Sequence, residues 1–411
     1  MPASSARRSL LLLAGIAAIV VVTSGAMVLV TPPPAVVVHE WGTFTTVAGE
    51  DGFAAQWLPL GGEQDLPCFV EHFKKPAFKI WPGAEPPLDY AQARGALRGK
   101  VRMETPVLYF YADREAMMSV SVRFPNGLMS EWYPKALIQQ PHAYASVLSA
   151  GAESRLTWAS VWIRPGTSPV FPDEGRPSHY YAARRTDAAP VRVEGQDEKF
   201  LFYRGLGSFD VPIQTRIARD GRILVTNLDP GAGALPSIVL FENRGGRVGY
   251  RIHSNLSGEV TLETPALTSS VAALGVDLEG MLVATGLYAK EAKAMVDTWR
   301  DSWFEEGTRV FYIVAPRAVD AILPLTFSPA PSKVARAFVG RMEVITDRTL
   351  QDVKDAIAEA DDAALAPYAR FLEPIASRLL ARLNAGDRAK MDTTLSAAYR
   401  SHLKRVVSYC Q

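Results

Sequence analysis

The spacing of apolar residues changes character three times along the chain. From Leu10 to about Val30 the run LLLLAGIAAIVVV-TSGAMVLV is almost continuously apolar. From Val36 to about Pro265 apolar residues come in short bursts, many of them alternating with polar ones, which is the period of strands. Between Val271 and Thr346 helical and strand periods are mixed, and beyond Asp347 the period is helical throughout.

Within the β-rich stretch, VVVHEWGTFTTV and VRMETPVLYFYA read as strands, the second bent at Pro106. The stretch between them is irregular, with a short helix expected near Phe69 to Phe73. AMMSVSVRF, the turn Pro125-Asn126-Gly127 and LMSEWYP predict a hairpin. RLTWASVWIRP, with Leu156, Trp158, Ser160 and Trp162 alternating, and EKFLFYRG add two strands. Asp220-Gly221 and Arg244-Gly245-Gly246 mark the tips of two further hairpins. Many short strands with turn residues between them point to an antiparallel sandwich or open barrel.

From Asp277 to Phe304 the pattern is helical, with a break near Gly286, and it sets Trp299 and Trp303 on one face. TRVFYIVAP, Pro324 to Phe327 and Ala335 to Thr346 read as strands, with a short helix from Pro316 to Leu323. In the tail, Asp347 or Thr349 caps the first helix, Pro367 opens the second and Pro374 kinks it. Gly386 ends that helix, and Asp387 caps a last one with a one-sided stripe at Met391, Leu395, Tyr399, Leu403 and Val406. The expected fold class is α+β. Its parts are an antiparallel β-sandwich-like domain at 35–270, a small α+β unit at 271–346 and a helical tail at 347–411.

The first 34 residues predict export. Arg7 and Arg8 precede the apolar run, which at roughly 20 residues is long enough to span a bilayer. Ser24-Gly25-Ala26 offers a cleavage site, whereas Pro32, Pro33 and Pro34 make a stiff spacer suited to a retained anchor. Both outcomes place the chain outside the cytoplasm, in the periplasm or cell envelope, with the membrane as its first partner.

HEWGTFT, METPVLYFY, FPNGLMSEWYP, SHYYAARR and GLYAKEAKAMVDTWRDSWFEEGTRVFYIV, taken together, resemble a group of uncharacterised exported bacterial proteins. These share an HEWGTFT segment after an N-terminal hydrophobic stretch. The likeness runs from about His39 to Glu343. It implies export and a bacterial source, and it implies no particular activity.

Composition narrows the chemistry. The 44 basic and 43 acidic side chains nearly cancel, which argues against nucleic acid as a partner, since phosphate backbones select a surplus of Lys and Arg. The two cysteines, Cys68 and Cys410, either pair in an oxidising compartment or sit apart as buried thiols. No G-x-S-x-G elbow and no phosphate loop occurs, and the S-x-x-K match at Ser401 to Lys404 falls in an amphipathic helix. No cofactor is named by any motif.

Three constellations remain. A metal site would draw on His39 and His72, each beside a carboxylate in sequence. Adjacent strand residues face opposite ways, so His39 and Glu40 cannot share an ion. Glu104 and Glu131 lie in strands that would neighbour each other, as a catalytic pair for glycoside hydrolysis requires. The alternative for them is salt-bridged structural residues. His179, Tyr180, Tyr181 and Arg184 form a basic-aromatic cluster suited to an anionic ligand, or else an ordered loop held by ion pairs. Trp41, Trp132, Tyr133, Phe202 and Tyr203 either fill the core or stack on a ligand. The expected role is a non-catalytic envelope protein binding a protein or glycan. A secreted hydrolase using the carboxylate pair or a histidine metal site is the alternative.

Overall fold

The computed structural model describes residues 34–60, 66–72, 97–140, 153–384, 386 and 388. The export segment, the Asp387 cap, the last expected helix, Ser401 to Lys404 and Cys410 lie outside them. Among the described residues no helix is long and apolar enough to cross a membrane.

In chain order the first strands are β1 (Val36–Val47), β2 (Glu71–His72), β3 (Val101–Ala112), β4 (Ala116–Pro125), β5 (Gly127–Tyr133), β6 (Leu137–Gln139) and β7 (Glu153–Ile163). They continue with β8 (Val191–Val193), β9 (Gln196–Glu198), β10 (Leu201–Gly207), β11 (Ile213–Ile217) and β12 (Ile223–Asn227). β13 (Leu235–Arg244), β14 (Arg247–Leu256) and β15 (Glu259–Leu262) end the β-rich half. Helices α1 (Val271–Ala284) and α2 (Ala289–Trp303) lead to β16 (Gly307–Ile313), α3 (Pro316–Ile322), β17 (Leu325–Ser328) and β18 (Lys333–Val344). α4 (Asp347–Glu359), α5 (Asp362–Leu365), a 3₁₀ segment at Ala366–Phe371 and α6 (Leu372–Ala381) follow.

The fold is α+β, as the sequence predicts. A nine-stranded sheet runs in the order β14-β13-β16-β18-β1-β3-β10-β5-β2. A second sheet holds β17-β4-β7-β8-β9 with β6 beside β7, and a third holds β11-β12-β15. β16 and β18, expected in a separate unit, sit within the large sheet, and β18 pairs with β1 in parallel.

Both Gly-tipped hairpins form as expected. β11 pairs with β12, and β13 pairs with β14 across Gly245 and Gly246, whose φ of 60° and 79° suits a tight turn. The third expected hairpin does not form. β4 pairs with β7 and β17, whereas β5 pairs with β10 and β2, so the chain changes sheets at Asn126. Asn126 takes a left-handed φ of 56°. A Cβ on Gly127 would lie 2.4 Å from the Phe124 ring, so a larger residue is excluded from this corner.

The helix expected near Phe69 gives way to the short strand β2, paired with β5. At α4 the cap is Thr346, whose hydroxyl accepts from Thr349 N at 3.2 Å, rather than Asp347 or Thr349. Pro374 lies in the first turn of α6, where a missing N–H interrupts no helical bond, so a kink is not required there.

Alternation along the strands gives the large sheet two distinct faces. Val36, Val38, Phe44, Met103, Phe110, Phe338 and Met342 enter a core shared with Val120, Val122 and Trp158 of the second sheet. Trp41, Val107, Tyr109, Phe202 and Val339 point the other way and pack under Leu278, Met295, Trp299 and Trp303 of α1 and α2. Further along this second face Val47 and Ile345 meet Leu350, Val353, Phe371 and Ile375 of the helical tail.

Candidate functional site

Between the two apolar patches of the helix-covered face lies a strip of charge. The register sets Thr43 opposite Glu104, and Thr45 between Arg102 and Arg341. Arg309 faces Glu343, and Arg204 faces Glu131. These side chains are all buried. Buried charge is costly unless it is paired and hydrogen-bonded, and here it is paired from end to end.

Arg204 holds Glu131 through two bonds of 3.1 and 3.2 Å. Glu104 Oε1 forms an ion pair with Arg102 Nε at 3.0 Å and accepts from Arg370 Nη1 at 3.1 Å. Arg370 passes on to Glu305 at 3.2 Å, and Glu305 to Arg341 at 2.9 Å. Arg309 binds Glu343 at 2.9 Å and donates to the carbonyls of Trp303, Glu305 and Glu306. Arg370 and Glu305 come from segments outside the sheet, so the strip ties the helical tail and the end of α2 to the strands.

The local field follows from this crowding. Burial, reinforced by Arg309, pushes the Arg341 guanidinium down to about 10. Desolvation raises the Glu343 carboxyl despite its two arginines. Burial would raise Glu305 as well, but Arg370, Arg341 and Arg309 together outweigh it and hold that acid below its ordinary value. Thr43 Oγ1, Thr45 Oγ1, Glu104 Oε2 and Arg341 Nε and Nη1 are buried with no hydrogen-bond partner among the described residues.

At the other end of the same face His39 and Glu291 are both fully buried, with Nδ1 and Oε2 2.7 Å apart. The Tyr111 hydroxyl donates to Glu291 Oε1 at 2.8 Å, and Tyr288 N donates to Oε2 at 2.7 Å. Tyr288 and Tyr111 flank the imidazole with ring centroids at 4.5 and 5.4 Å. His39 Nε2 is buried without a partner among the described residues. An acceptor at Nδ1 favours the tautomer protonated there, leaving Nε2 as a lone-pair acceptor.

Beside Tyr111, at the end of β3, there is a pocket of about 290 Å³. Its wall is built from the end of β3, the loop after β7, residues 186–190 and Lys199.

The structure separates the histidine pair. His39 on β1 and His72 on β2 lie four strand spacings apart, roughly 19 Å. Among the described residues no three His, Cys, Asp or Glu side chains converge as metal ligands. Glu104 and Glu131 share a face but have β10 between their strands, roughly 10 Å apart at the backbone, and each is clamped by arginine.

His179, Tyr180, Tyr181 and Arg184 are brought together in one 3₁₀ turn, His179–Arg184, docked on α2. Their polar atoms are turned inward. Arg184 binds Glu198 at 2.9 and 2.6 Å and the carbonyl of Pro172 at 2.8 Å, and the Tyr180 hydroxyl donates to Glu198 at 3.0 Å. His179 Nδ1 lies 2.9 Å from the carbonyl of Thr298 and 3.1 Å from Asp301. Trp41, Trp132, Tyr133, Phe202 and Tyr203 are core residues. Cys68 is in a disulfide, and Cys410, with which it would either pair or not, lies outside the described residues.

No family model, curated protein or solved structure matches the chain.

Sequence reasoning did not single out Glu291, Glu305, Arg309, Arg341, Arg370, Thr186 or Lys199. One signal was available. In VARAFVGRMEVI, Ala337, Val339, Arg341 and Glu343 share a face, so an apolar period-2 stripe runs into charge within one buried strand.

Proposed function

We propose that this is an exported envelope protein, held at the outer side of the cytoplasmic membrane by its N-terminal segment or released from it, whose role is to recognise a small ligand. The observation that carries this reading is the preformed pocket of about 290 Å³ beside Tyr111, close to the lower bound of ligand sites at about 300 Å³. The carboxylates best placed for hydrolysis supply no contrary argument. Glu104 and Glu131 are both buried and engaged by arginine, so neither carboxylate is presented to a substrate.

The test is thermal unfolding of the full chain against a panel of small metabolites, repeated on T167W, in which a bulky ring blocks the pocket wall. A ligand present at a hundredfold excess over its Kd stabilises the folded state by about 2.7 kcal/mol, enough to read as a shifted midpoint. The shift is expected in the wild type and lost in T167W. No response to any compound would overturn the reading.

One observation favours a second reading, the extracytoplasmic hydrolase. A histidine oriented through Nδ1 by a carboxylate, with Nε2 unpartnered, is the arrangement of a general base. On that reading turnover of chromogenic esters or glycosides is abolished by H39N, and absence of turnover in the wild type sinks it.

A further inference from the structure

The pocket beside Tyr111 is lined by both apolar and polar residues. Ala112, Pro165 and Pro190 give it an apolar wall, while Thr186 and Lys199 give it polar groups. Thr186 is 8% exposed, and its hydroxyl has no hydrogen-bond partner among the described residues. A buried hydroxyl left unmatched is costly, and Thr186 Oγ1 is a donor in the pocket wall that the described residues leave unused.

The charges around Lys199 are otherwise committed. Asp187, also on the wall, is bound by Lys290 of α2 at 2.6 Å. Glu198, next in sequence, turns the other way into Arg184 and Tyr180. The Tyr111 hydroxyl is given to Glu291, and burial with that neighbouring carboxylate raises its pKa, so it stays neutral. Among the described residues Lys199 forms no ion pair, and partial burial lowers its ammonium below the usual lysine value despite Asp187 and Glu198. An anion placed against it would restore the charged form.

We propose that this pocket binds a small organic carboxylate, its charge held by Lys199 Nζ, its second oxygen accepting from Thr186 Oγ1, and its hydrocarbon part lying on Ala112, Pro165 and Pro190. This assignment rests on the ligand-binding reading above and names the ligand class. One ammonium and one hydroxyl match a monoanion. A phosphate would call for more donors, and no arginine is among the residues that form the wall.

The experiment is isothermal titration calorimetry on the full chain, using benzoate and acetate with benzamide and acetamide as neutral counterparts. The acid should bind at least tenfold more tightly than its amide. K199M should remove that preference, K199R should keep part of it, and T186V should weaken binding by a smaller factor. Affinity should fall as pH rises through the lowered Lys199 pKa, earlier than an ordinary lysine would dictate, because the bound anion needs the ammonium. Equal binding of acid and amide, or K199M affinity matching wild type, overturns the carboxylate assignment. If the amides bind as tightly as the acids and T167W abolishes that binding, the ligand-binding reading survives while the carboxylate assignment falls. If neither acids nor amides bind, and the wider metabolite panel is also silent, both fall.

Discussion

The two faces of the nine-stranded sheet are made by the same strands and behave as different materials. Toward the second sheet β1 and β18 present Val36, Val38, Phe44, Phe338 and Met342, and stability there comes from apolar area removed from water. Toward the helices the same two strands set His39, Arg341 and Glu343 among Trp41, Val339 and Val47, and burial of these charged groups is favourable only through pairing. The first face tolerates any well-packed apolar set of similar volume, whereas the second depends on named partners that arrive from α2 and the helical tail. A scaffold needs only the first kind of face. The His39–Glu291 pair lies with the second, and the pocket sits at the end of β3 where the two meet, with Tyr111 from the helix side and Ala112 and Ala189 from the side of the first.

Removing partners breaks this comparison most sharply. E343A leaves Arg309 buried and uncompensated, and a loss of about 3–5 kcal/mol in urea unfolding is expected. Replacing both partners, R309M with E343L, should return most of that stability. On the opposite face F338A should cost a comparable amount, about 3–5 kcal/mol, through the cavity it leaves, and no second polar-to-apolar change would rescue it. If the double variant is as unstable as E343A alone, the pairing account of the helix-covered face is wrong.

A smaller effect comes from the polar exception on the apolar face. There Glu40 accepts from the Tyr203 hydroxyl and from Arg336 at 2.6 Å. Y203F removes a donor from a buried carboxylate, and a loss of about 1–3 kcal/mol is expected by the same unfolding assay.

Smaller still is a pH effect. Burial raises the Glu343 carboxyl above its ordinary value of 4.5. The folded state therefore binds this proton more readily than the unfolded chain does. The stability it contributes is fully present below 4.5 and is lost as pH rises through the folded pKa. Between pH 4.5 and 7 the wild type should lose stability relative to E343Q, and parallel curves would contradict the assignment. At the bottom of the scale R123A, which breaks the exposed pair with Glu153, should leave the urea midpoint unchanged.

Local signals in the sequence survived folding and long-range ones did not show. The turns at Asp220-Gly221 and Arg244 to Gly246 carry their own geometry, so both hairpins were legible. Pro125-Asn126-Gly127 carries an equally good turn, yet β4 and β5 part into different sheets because their partners β7 and β10 lie further along the chain. Glu104, Glu131 and His39 stood out as polar groups inside apolar strands, and all three are buried. Their partners could not be read from spacing, since Glu291 lies 252 residues beyond His39 and Arg370 lies 266 beyond Glu104. Lys199 and Thr186 are single polar residues in or beside short loops, without a period to flag them. Each phrase that carries the resemblance to exported proteins contributes to the helix-covered face. HEWGTFT supplies His39, Thr43 and Thr45, METPVLYFY supplies Glu104 and Tyr111, FPNGLMSEWYP supplies Glu131, SHYYAARR supplies the docked turn, and the longest supplies Glu291, Glu305 and Arg309.

Hydrogen exchange followed by mass spectrometry, on the full chain with and without saturating benzoate, tests most directly whether the pocket beside Tyr111 is the binding site. Slower exchange confined to residues 110–112, 164–167 and 186–199 is the predicted result. Protection on the outer strands of the second sheet instead, or no protection anywhere, would contradict it.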